Sequence, residues 1–487
     1  MRNTDSGVYR RALAGLRWIA VSKVLVQAAT WVMTILSVRL LLPSDYGIVA
    51  MSGLVTVFLN LILEGGVGVS IVQKRETARD VLAGLNTALL AFALLASACV
   101  IGCAPYVAEY FKEPALVQIL RVASIQFPLA ALTVVPNALL VRDMRFKEIA
   151  VSQTITAVLQ GALSVQLAYG GHAYWALIYS TLFGMLTRLL LVTWFARPPI
   201  KPNFGWSKLG RYLQSGRLLL GQRFIWFIVE EADRFVVARS VGVGATGSYM
   251  VAKNLSHTFL DRIAEIVNQV SLPAFAAKQD DDAAWRRGFI QLQSLAATLA
   301  FPVFWGLAAV APTVLPLLLG TRWTGTAWVF SLFCFVLPLR VWYSLVDTAI
   351  VASGRNRLAI GNVVIWMVVL LPLFFFAARF GVTAVAGAWV IGFGIVYLIV
   401  SSRIAATVGI SRAQMWKVVA GPALYAGIMT LVALAVGYAL GKSLHPVAVA
   451  AVQILVGAFV YFALMWSLGR ERFRETVRIT LSLVGRH

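Results

Sequence analysis

Ionisable side chains recur at helical spacing within the apolar segment 245–272. Lys253, His257, Asp261 and Glu265 follow one another at intervals of four residues, and Asn268 continues the series. Side chains at this spacing lie on one face of a helix, so the series predicts a polar stripe along a whole helix. The segment is of membrane-spanning length and is predicted to cross the bilayer. Lipid cannot face such a stripe, because a charged side chain in the middle of a membrane costs at least ~2.5–3.5 kcal/mol. The stripe therefore lines a hydrated cavity or pairs with a neighbouring helix, and we favour the cavity.

A second polar face is predicted on the preceding apolar segment, 212–238. Arg223, Glu230 and Arg234 are separated by seven and four residues, so they share one face of a helix. Cations and carboxylates suit different ligands: Arg binds phosphate oxygens through parallel hydrogen bonds, and a carboxylate in low dielectric can take up a proton or Na⁺. The two faces predict either a binding cavity or structural ion pairs between the two helices.

Further ionisable residues lie inside apolar segments. The cationic candidates for substrate binding are Lys23, Arg223, Lys253, Arg262 and Arg340. The candidates for ion coupling are Glu64, Glu230, Asp261 and Glu265. Cations near the ends of their segments can reach the lipid headgroups by snorkelling, and this is our interpretation of Arg121, Arg188 and Arg217. His257 is interpreted as a hydrogen-bonded structural histidine.

Fourteen apolar stretches of membrane-spanning length carry these residues. A bilayer core of ~30 Å needs roughly 20 apolar residues per helix, and hydrophobic residues make up 60% of this chain. The stretches are 18–38, 48–72, 81–107, 116–141, 149–168, 173–195, 212–238, 245–272, 289–319, 324–352, 358–378, 382–401, 417–440 and 445–468. The sequence therefore predicts an all-α polytopic membrane protein with about 14 transmembrane helices.

Lys and Arg gather in every second gap between these stretches. One set of gaps, together with both termini, holds 27 of the 42 basic residues, whereas the alternate gaps hold six. By the positive-inside rule, both termini are predicted to be cytoplasmic. A net charge of +22 would suggest nucleic-acid binding in a soluble protein. Here anionic lipid headgroups balance the cytoplasmic loops, so membrane lipid is the expected partner and nucleic acid is not.

Two segments 200 residues apart share a pattern. Arg39 closes the first span and Gly47 follows eight residues later; Arg239 and Gly247 repeat this after the seventh span. Six spans separate the copies, so both run in the same direction, as in transporters whose repeats are related by an axis along the membrane normal. We predict two six-helix lobes with pseudo-two-fold symmetry, plus two extra helices. The predicted domains are an N-lobe at 1–211, a C-lobe at 212–412, and two helices with a basic cytoplasmic tail at 413–487.

Several function classes lack their sequence requirements. The sequence has no Walker A motif, nucleotide-binding glycine loop or metal-ligand cluster, so no cofactor, no metal and no ATP-driven transport are predicted. The connections between spans are too short to fold alone. This weighs against a membrane glycosyltransferase, and we predict that the protein is not an enzyme. The buried charges, nine basic to seven acidic, disfavour a multidrug exporter, which would bind cationic drugs through carboxylates.

Short motifs along the chain resemble those of a known transporter family. In order, they are Glu64-Gly65-Gly66-Val67-Gly68 ahead of Gln73, Leu272-Pro273-Ala274-Phe275-Ala276-Ala277-Lys278-Gln279-Asp280-Asp281, Phe301-Pro302, Leu319-Gly320-Thr321-Arg322-Trp323, Ala352-Ser353-Gly354-Arg355, and Gly381-Val382 with Ala386. Together they resemble the Wzx-type polysaccharide exporters, or flippases, of the multidrug/oligosaccharidyl-lipid/polysaccharide superfamily, nearest to the colanic-acid and xanthan exporters. Glu64 departs from the family pattern, in which Asp is common, but keeps the charge.

The resemblance implies a flippase of the bacterial inner membrane. It would move an undecaprenyl-diphosphate-linked oligosaccharide repeat unit from the cytoplasmic to the periplasmic leaflet by alternating access, for exopolysaccharide or lipopolysaccharide export. Arg223, Lys253 and Arg262 from one lobe, with Lys23 from the other, would clamp the diphosphate. H⁺ or Na⁺, a polysaccharide polymerase and glycosyltransferases are the further partners implied. Two alternatives stay open: a flippase for the lipid-linked peptidoglycan precursor, and a cation-coupled multidrug exporter of the same superfamily.

Overall fold

The structure is a computed structural model that describes residues 27, 30–63, 67–73, 78–199, 203, 217–276, 282–352, 356–470 and 474. The regular secondary structure of these residues is helical. A helix can cross lipid because its backbone N–H and C=O groups form hydrogen bonds with one another. The helices are α1 Thr30–Leu40, α2 Pro43–Leu63, α3 Val67–Gln73, α4 Arg79–Phe111, α5 Ala115–Ala123, α6 Gln126–Arg142, α7 Phe146–Tyr169, α8 Trp175–Ala196, α9 Arg217–Ser240, α10 Val243–Ala276, α11 Asp282–Leu319, α12 Thr324–Ala352, α13 Asn356–Ala377, α14 Val382–Val408, α15 Arg412–Leu440 and α16 Pro446–Leu468.

Each of the fourteen predicted spans overlaps at least one of these helices. Within the described ranges, nine helical segments are long and apolar enough to cross a membrane, and the bent pair α1–α2 would add a tenth if it is one span. The polar helices α9 and α10 are not among the nine. At the bend, α1 and α2 meet at 119°, and the Leu42 N–H donates to the Asp45 carboxylate at 2.9 Å. The prediction of an all-α polytopic membrane fold is confirmed.

The described residues form two compact units. Unit 1 contains those up to Glu231 together with Gly242–Gly247, and unit 2 contains Ala232–Val241 and the residues from Ser248 onwards. Within unit 1, α8 packs against α6 and α7, and α4 packs against α5 and α6. Within unit 2, α11 packs against α12, α15 and α16, while α14 packs against α12 and α13. The domain boundaries named above stay a prediction.

Unit 1 contains a reciprocal close approach between the starts of α2 and α10. A Cβ atom on Gly47 would overlap the carbonyl oxygen of Val243, and a Cβ atom on Gly247 would overlap the carbonyl oxygen of Pro43. Positions 43 and 243 correspond in the two copies of the repeat, and so do positions 47 and 247. The two contacts are therefore equivalent: each joins the glycine of one copy to the carbonyl oxygen at the corresponding position of the other. This is the local arrangement that a two-fold relation between the repeats requires. Only glycine allows the two backbones to come this close.

In unit 2, α11 contains prolines whose missing N–H groups are compensated by neighbouring helices. Pro302 and Pro312 cannot donate to the carbonyl four residues earlier. The carbonyl of Thr298 instead accepts a hydrogen bond of 2.8 Å from the Tyr461 hydroxyl on α16. The carbonyl four residues before Pro312 accepts one of 2.8 Å from Ser331 on α12. These side chains fix α11 to its neighbours where its own backbone bonding is interrupted.

Candidate functional site

The carboxylate of Asp233 on α9 and the ammonium group of Lys253 on α10 form a buried ion pair in unit 2. Lys253 Nζ lies 2.9 Å from Oδ1 and 3.0 Å from Oδ2 of Asp233, and the two side chains are 2% and 0% exposed, respectively. Desolvation makes such a pair costly unless its geometry is good and the remaining lone pairs are also hydrogen-bonded. Lys253 therefore forms an ion pair between the two helices, and the preferred prediction that it lines a hydrated cavity is not what the structure contains.

Neutral donors complete the environment of the Asp233 carboxylate. The Tyr249 hydroxyl donates to Oδ2 at 2.6 Å, and the indole N–H of Trp389 donates to the same oxygen at 2.7 Å. The backbone N–H of Arg234 donates to Oδ1 at 2.6 Å. Tyr249 lies one helical turn before Lys253 and so shares its face of α10, whereas Trp389 comes from α14. Both carboxylate oxygens therefore accept several hydrogen bonds, as a fully buried charge requires.

The guanidinium group of Arg340 on α12 lies among aromatic rings of the same unit. Its Cζ atom is 5.5 Å from the ring centre of Trp389, 5.8 Å from that of Phe393 and 6.0 Å from that of Trp366. A cation at such distances is attracted by the negative face of the ring. The ring of Trp389 is also 5.2 Å from Lys253 Nζ. One tryptophan therefore contacts both cations and the carboxylate.

His257 connects α10 to Arg340. It lies one turn after Lys253, and its Nε2 atom is 2.9 Å from Nη1 of Arg340. Because a guanidinium group has no acceptor, Nε2 must accept this hydrogen bond, and a neutral imidazole then carries its proton on Nδ1. The interpretation of His257 as a hydrogen-bonded histidine is confirmed.

These contacts define a cationic cluster formed by side chains of α9, α10, α12 and α14. Its members are Asp233, Tyr249, Lys253, His257, Arg340 and Trp389. The set contains two cations and one carboxylate, so an anionic group is the ligand that it suits. Among the residues that the structure describes, no group of three or more His, Cys, Asp or Glu side chains is arranged to hold a metal ion.

The other predicted site residues occupy different environments. Asp261 and Arg262 lie two turns beyond Lys253 on α10 and are exposed, whereas Glu230 on α9 is half-buried. Of the proposed snorkelling residues, Arg121 is exposed and Arg188 is half-buried. The predicted residues Lys23 and Glu64, and the side chains of Arg223 and Glu265, lie outside the described parts of the chain.

The sequence reasoning assigned no role to three members of the cluster. Asp233 is one of the seven acidic residues within apolar segments, and a buried Lys on the next helix is a sequence signal for its partner. Tyr249 could have been found from its spacing of four residues before Lys253. Trp389 had no local signal, because it is 156 residues away from the carboxylate that it contacts.

Two solved structures have a similar fold. The lipid II flippase MurJ in an inward closed conformation superimposes with a TM-score of 0.73 at 16% identity, covering 92% of this chain and 99% of that chain. An inward-facing multidrug resistance MATE family transporter of the MOP superfamily superimposes with a TM-score of 0.60 at 14% identity, covering 78% of this chain and 95% of that one. At these identities the similarity establishes the fold alone.

Two curated proteins have similar sequences over most of their length. The lipopolysaccharide biosynthesis protein WzxC of Escherichia coli K12 is 24% identical over 356 residues, which cover 71% of this chain and 70% of that protein. The teichuronic acid biosynthesis protein TuaB of Bacillus subtilis 168 is 22% identical over 359 residues, which cover 72% and 73%. The family model described as "Polysaccharide biosynthesis protein" matches residues 35–327. The resemblance to Wzx-type exporters is thereby confirmed, and the chain belongs to the polysaccharide biosynthesis protein family.

Proposed function

We propose that this protein flips an undecaprenyl-diphosphate-linked oligosaccharide from the cytoplasmic to the periplasmic leaflet of the bacterial inner membrane by alternating access. Membership of the polysaccharide biosynthesis protein family and similarity to lipopolysaccharide and teichuronic acid biosynthesis proteins support polysaccharide export. The observation that carries the proposal is the cationic cluster, which holds Arg340 within membrane-spanning helices. A diphosphate with hydrated sugars cannot cross hydrocarbon unaided, because its polar groups would lose their water. A fixed cation within a membrane-spanning helix lowers this free-energy barrier, because it attracts the diphosphate.

Arg340 is the phosphate ligand that the contacts support best. Its Cζ atom lies 5.5–6.0 Å from three aromatic ring centres, and a guanidinium group can bind phosphate oxygens through parallel N–H donors. Lys253 differs, because both oxygens of Asp233 bind its ammonium group. We therefore propose that Lys253 stabilises the structure of the site and does not bind phosphate. Lys23, Arg223 and Arg262 remain proposed phosphate ligands, as the sequence suggested.

Neutralising Arg340 is expected to weaken diphosphate binding without unfolding the protein. Arg340→Gln removes one charge-assisted contact of ~1.5–3 kcal/mol, so the Kd for undecaprenyl diphosphate should rise roughly ten- to a hundredfold. Binding is measured by tryptophan fluorescence of the purified protein in lipid nanodiscs. Arg121→Gln, at an exposed position on α5, is the control and should leave the Kd unchanged. Equal Kd values for the two variants would show that Arg340 does not bind the diphosphate.

A reconstituted flipping assay tests the proposed substrate class. Proteoliposomes are loaded with a lectin-detectable undecaprenyl-diphosphate oligosaccharide, and the fraction that reaches the opposite leaflet is followed over time. We expect protein-dependent flipping of this lipid, and less flipping by Arg340→Gln. The lipid-linked peptidoglycan precursor and a cationic dye are the comparison substrates. Faster transport of either comparison substrate would replace our proposal with the corresponding alternative.

The proposed sidedness predicts which helix ends face the cytoplasm. Ala413 and Ser443 lie at opposite ends of α15, and both are exposed. On a background in which Cys99, Cys103 and Cys334 are replaced by Ala, Ser443→Cys should react with an impermeant maleimide applied to spheroplasts. Ala413→Cys should react only after the membrane is permeabilised. The reverse pattern would invert the topology and place both termini outside.

A further inference from the structure

The guanidinium group of Arg340 is held by two kinds of contact in unit 2. Its Cζ atom lies between 5.5 and 6.0 Å from the ring centres of Trp366, Trp389 and Phe393. A ring face attracts the charge of a cation, but it offers no lone pair that fixes the direction of an N–H group. The contact with His257 is directional, because Nε2 lies 2.9 Å from Nη1 and accepts its hydrogen bond. The imidazole therefore determines which way this edge of the guanidinium group points.

Packing holds the imidazole ring of His257 in turn. The ring meets that of Phe333 edge-to-face, with centres 6.4 Å apart and an angle of 81° between the planes. Phe333 is 1% exposed and lies seven residues before Arg340, so both are on one face of α12. The ring of Tyr249, two turns before His257 on α10, contacts the same phenylalanine with centres 5.2 Å apart. These contacts restrict rotation of the imidazole, so Nε2 stays within reach of Arg340.

The two cations of the cluster contact acceptors of different charge. Lys253 is bound by the carboxylate of Asp233, whose negative charge balances it. His257 offers Arg340 a neutral imidazole, because Nε2 accepts a hydrogen bond only while it carries no proton. A neutral acceptor orients a guanidinium group without adding a negative charge beside it. A carboxylate in the same place would compete with a phosphate group for the N–H donors.

We propose that His257 is a positioning residue for anion binding. Its neutral imidazole, protonated on Nδ1, holds Nη1 of Arg340 and thereby fixes the direction in which the other N–H donors meet a diphosphate. That direction matters, because bidentate binding of phosphate oxygens requires two parallel N–H groups. The identity of the ligand rests on the proposed function, whereas the orientation of Arg340 by His257 does not.

Three substitutions of His257 separate orientation from packing. His257→Gln keeps a neutral acceptor, His257→Phe keeps a ring against Phe333 without an acceptor, and His257→Glu keeps an acceptor but adds a negative charge. The Kd for undecaprenyl diphosphate and the Tm are measured for each variant in lipid nanodiscs. We expect His257→Gln to stay within about threefold of the natural Kd, and the other two to raise it roughly tenfold or more. Asn254→Ala, at an exposed position on α10, is the control and should leave the Kd unchanged.

The result for His257→Glu distinguishes positioning from a purely structural role. If His257 only joined α10 to α12, a carboxylate paired with Arg340 would join them at least as well, and diphosphate binding would survive. We expect instead that Tm is kept or raised while binding is lost, because the carboxylate occupies the N–H donors. The proposal is overturned if either His257→Phe or His257→Glu binds undecaprenyl diphosphate as tightly as the natural sequence. If His257→Phe does not fold, equal Kd values for His257→Gln and His257→Glu reject the proposal.

A spectroscopic measurement tests the orientation without any lipid-linked sugar. In the whole chain labelled with ¹⁵N-histidine, the signals of His257 are those missing from His257→Gln. At alkaline pH, where imidazole is ordinarily neutral, we expect the chemical shifts of a ring protonated on Nδ1. Arg340→Met removes the donor and should shift the ring towards the tautomer protonated on Nε2. A proton on Nε2 in the natural sequence would overturn the positioning role. A proton on Nδ1 without any binding of undecaprenyl diphosphate would reject the proposed ligand and retain the orientation of Arg340 by His257.

Discussion

Substituting Gly47 or Gly247 with alanine is expected to abolish polysaccharide export. Each new Cβ atom would overlap a backbone carbonyl oxygen of the opposite helix, at Val243 or Pro43. A backbone atom cannot rotate away as a side chain can, so the starts of α2 and α10 would have to separate. Overpacking of this kind costs about 1–3 kcal/mol, and in the proposed cycle these helix ends could no longer meet. Export in a complemented deletion strain and the Tm of the purified protein measure the two effects.

The same two helices offer matched controls for this experiment. Gly53 on α2 and Gly244 on α10 have no atom within 4 Å of the position of an added Cβ. Gly53→Ala and Gly244→Ala should leave export intact and raise stability by up to about 1 kcal/mol, because alanine favours the helix. If Gly47→Ala matched Gly53→Ala in export and Tm, the close approach of the helices would have no functional importance.

Removing the charge of Lys253 is expected to destabilise unit 2 rather than only to weaken binding. Lys253→Met leaves the carboxylate of Asp233 buried without its cation, which typically costs about 3–5 kcal/mol. The amount of folded protein in the membrane should therefore fall, together with Tm. Arg340→Gln provides the contrast, because it should lower export at a normal protein level. Fluorescence-detected size exclusion measures folded protein for both variants.

A double substitution separates support of the fold from binding of the substrate. Asp233→Asn with Lys253→Met removes both charges and keeps an amide oxygen that can accept hydrogen bonds from Tyr249 and Trp389. We expect this variant to recover most of the Tm lost by Lys253→Met, because no unpaired charge remains buried. Recovery of both export and Tm would show that Lys253 stabilises the site and does not bind the substrate. Recovery of Tm without export would return Lys253 to the proposed phosphate ligands.

The helical architecture could be predicted because each of its determinants is local in sequence. Apolar length identifies a span, and the repeat of Arg39 and Gly47 at Arg239 and Gly247 needs no knowledge of packing. The same repeat pointed to the glycines that the structure places in reciprocal contact. Its steric meaning could not be inferred from sequence, because the contact depends on how closely the two backbones approach.

The partners within the site were less accessible to sequence reasoning. The stripe that includes Lys253 and His257 was identified by its spacing, but spacing describes one helix and does not say which side chain lies across from it. Asp233 is 20 residues from Lys253. Whether Asp233 or another acidic residue of α9 pairs with Lys253 depends on how α9 is rotated about its axis. Arg340 was a candidate because it is a cation in an apolar segment. The aromatic rings around it come from α13 and α14, so only the packed structure reveals them.

The bonds that compensate the prolines of α11 also constrain how this sequence can diverge. Pro302 leaves a carbonyl whose hydrogen-bond donor is the Tyr461 hydroxyl, on a helix about 160 residues further along. Loss of the hydroxyl while the proline remains would leave that carbonyl unpaired inside the protein, whereas a residue with an N–H at position 302 would make the hydroxyl dispensable. The order of mutations therefore matters: the proline must be lost before the tyrosine. We therefore expect substitutions at Pro302 and Tyr461 to be energetically coupled, although no sequence motif joins the two residues.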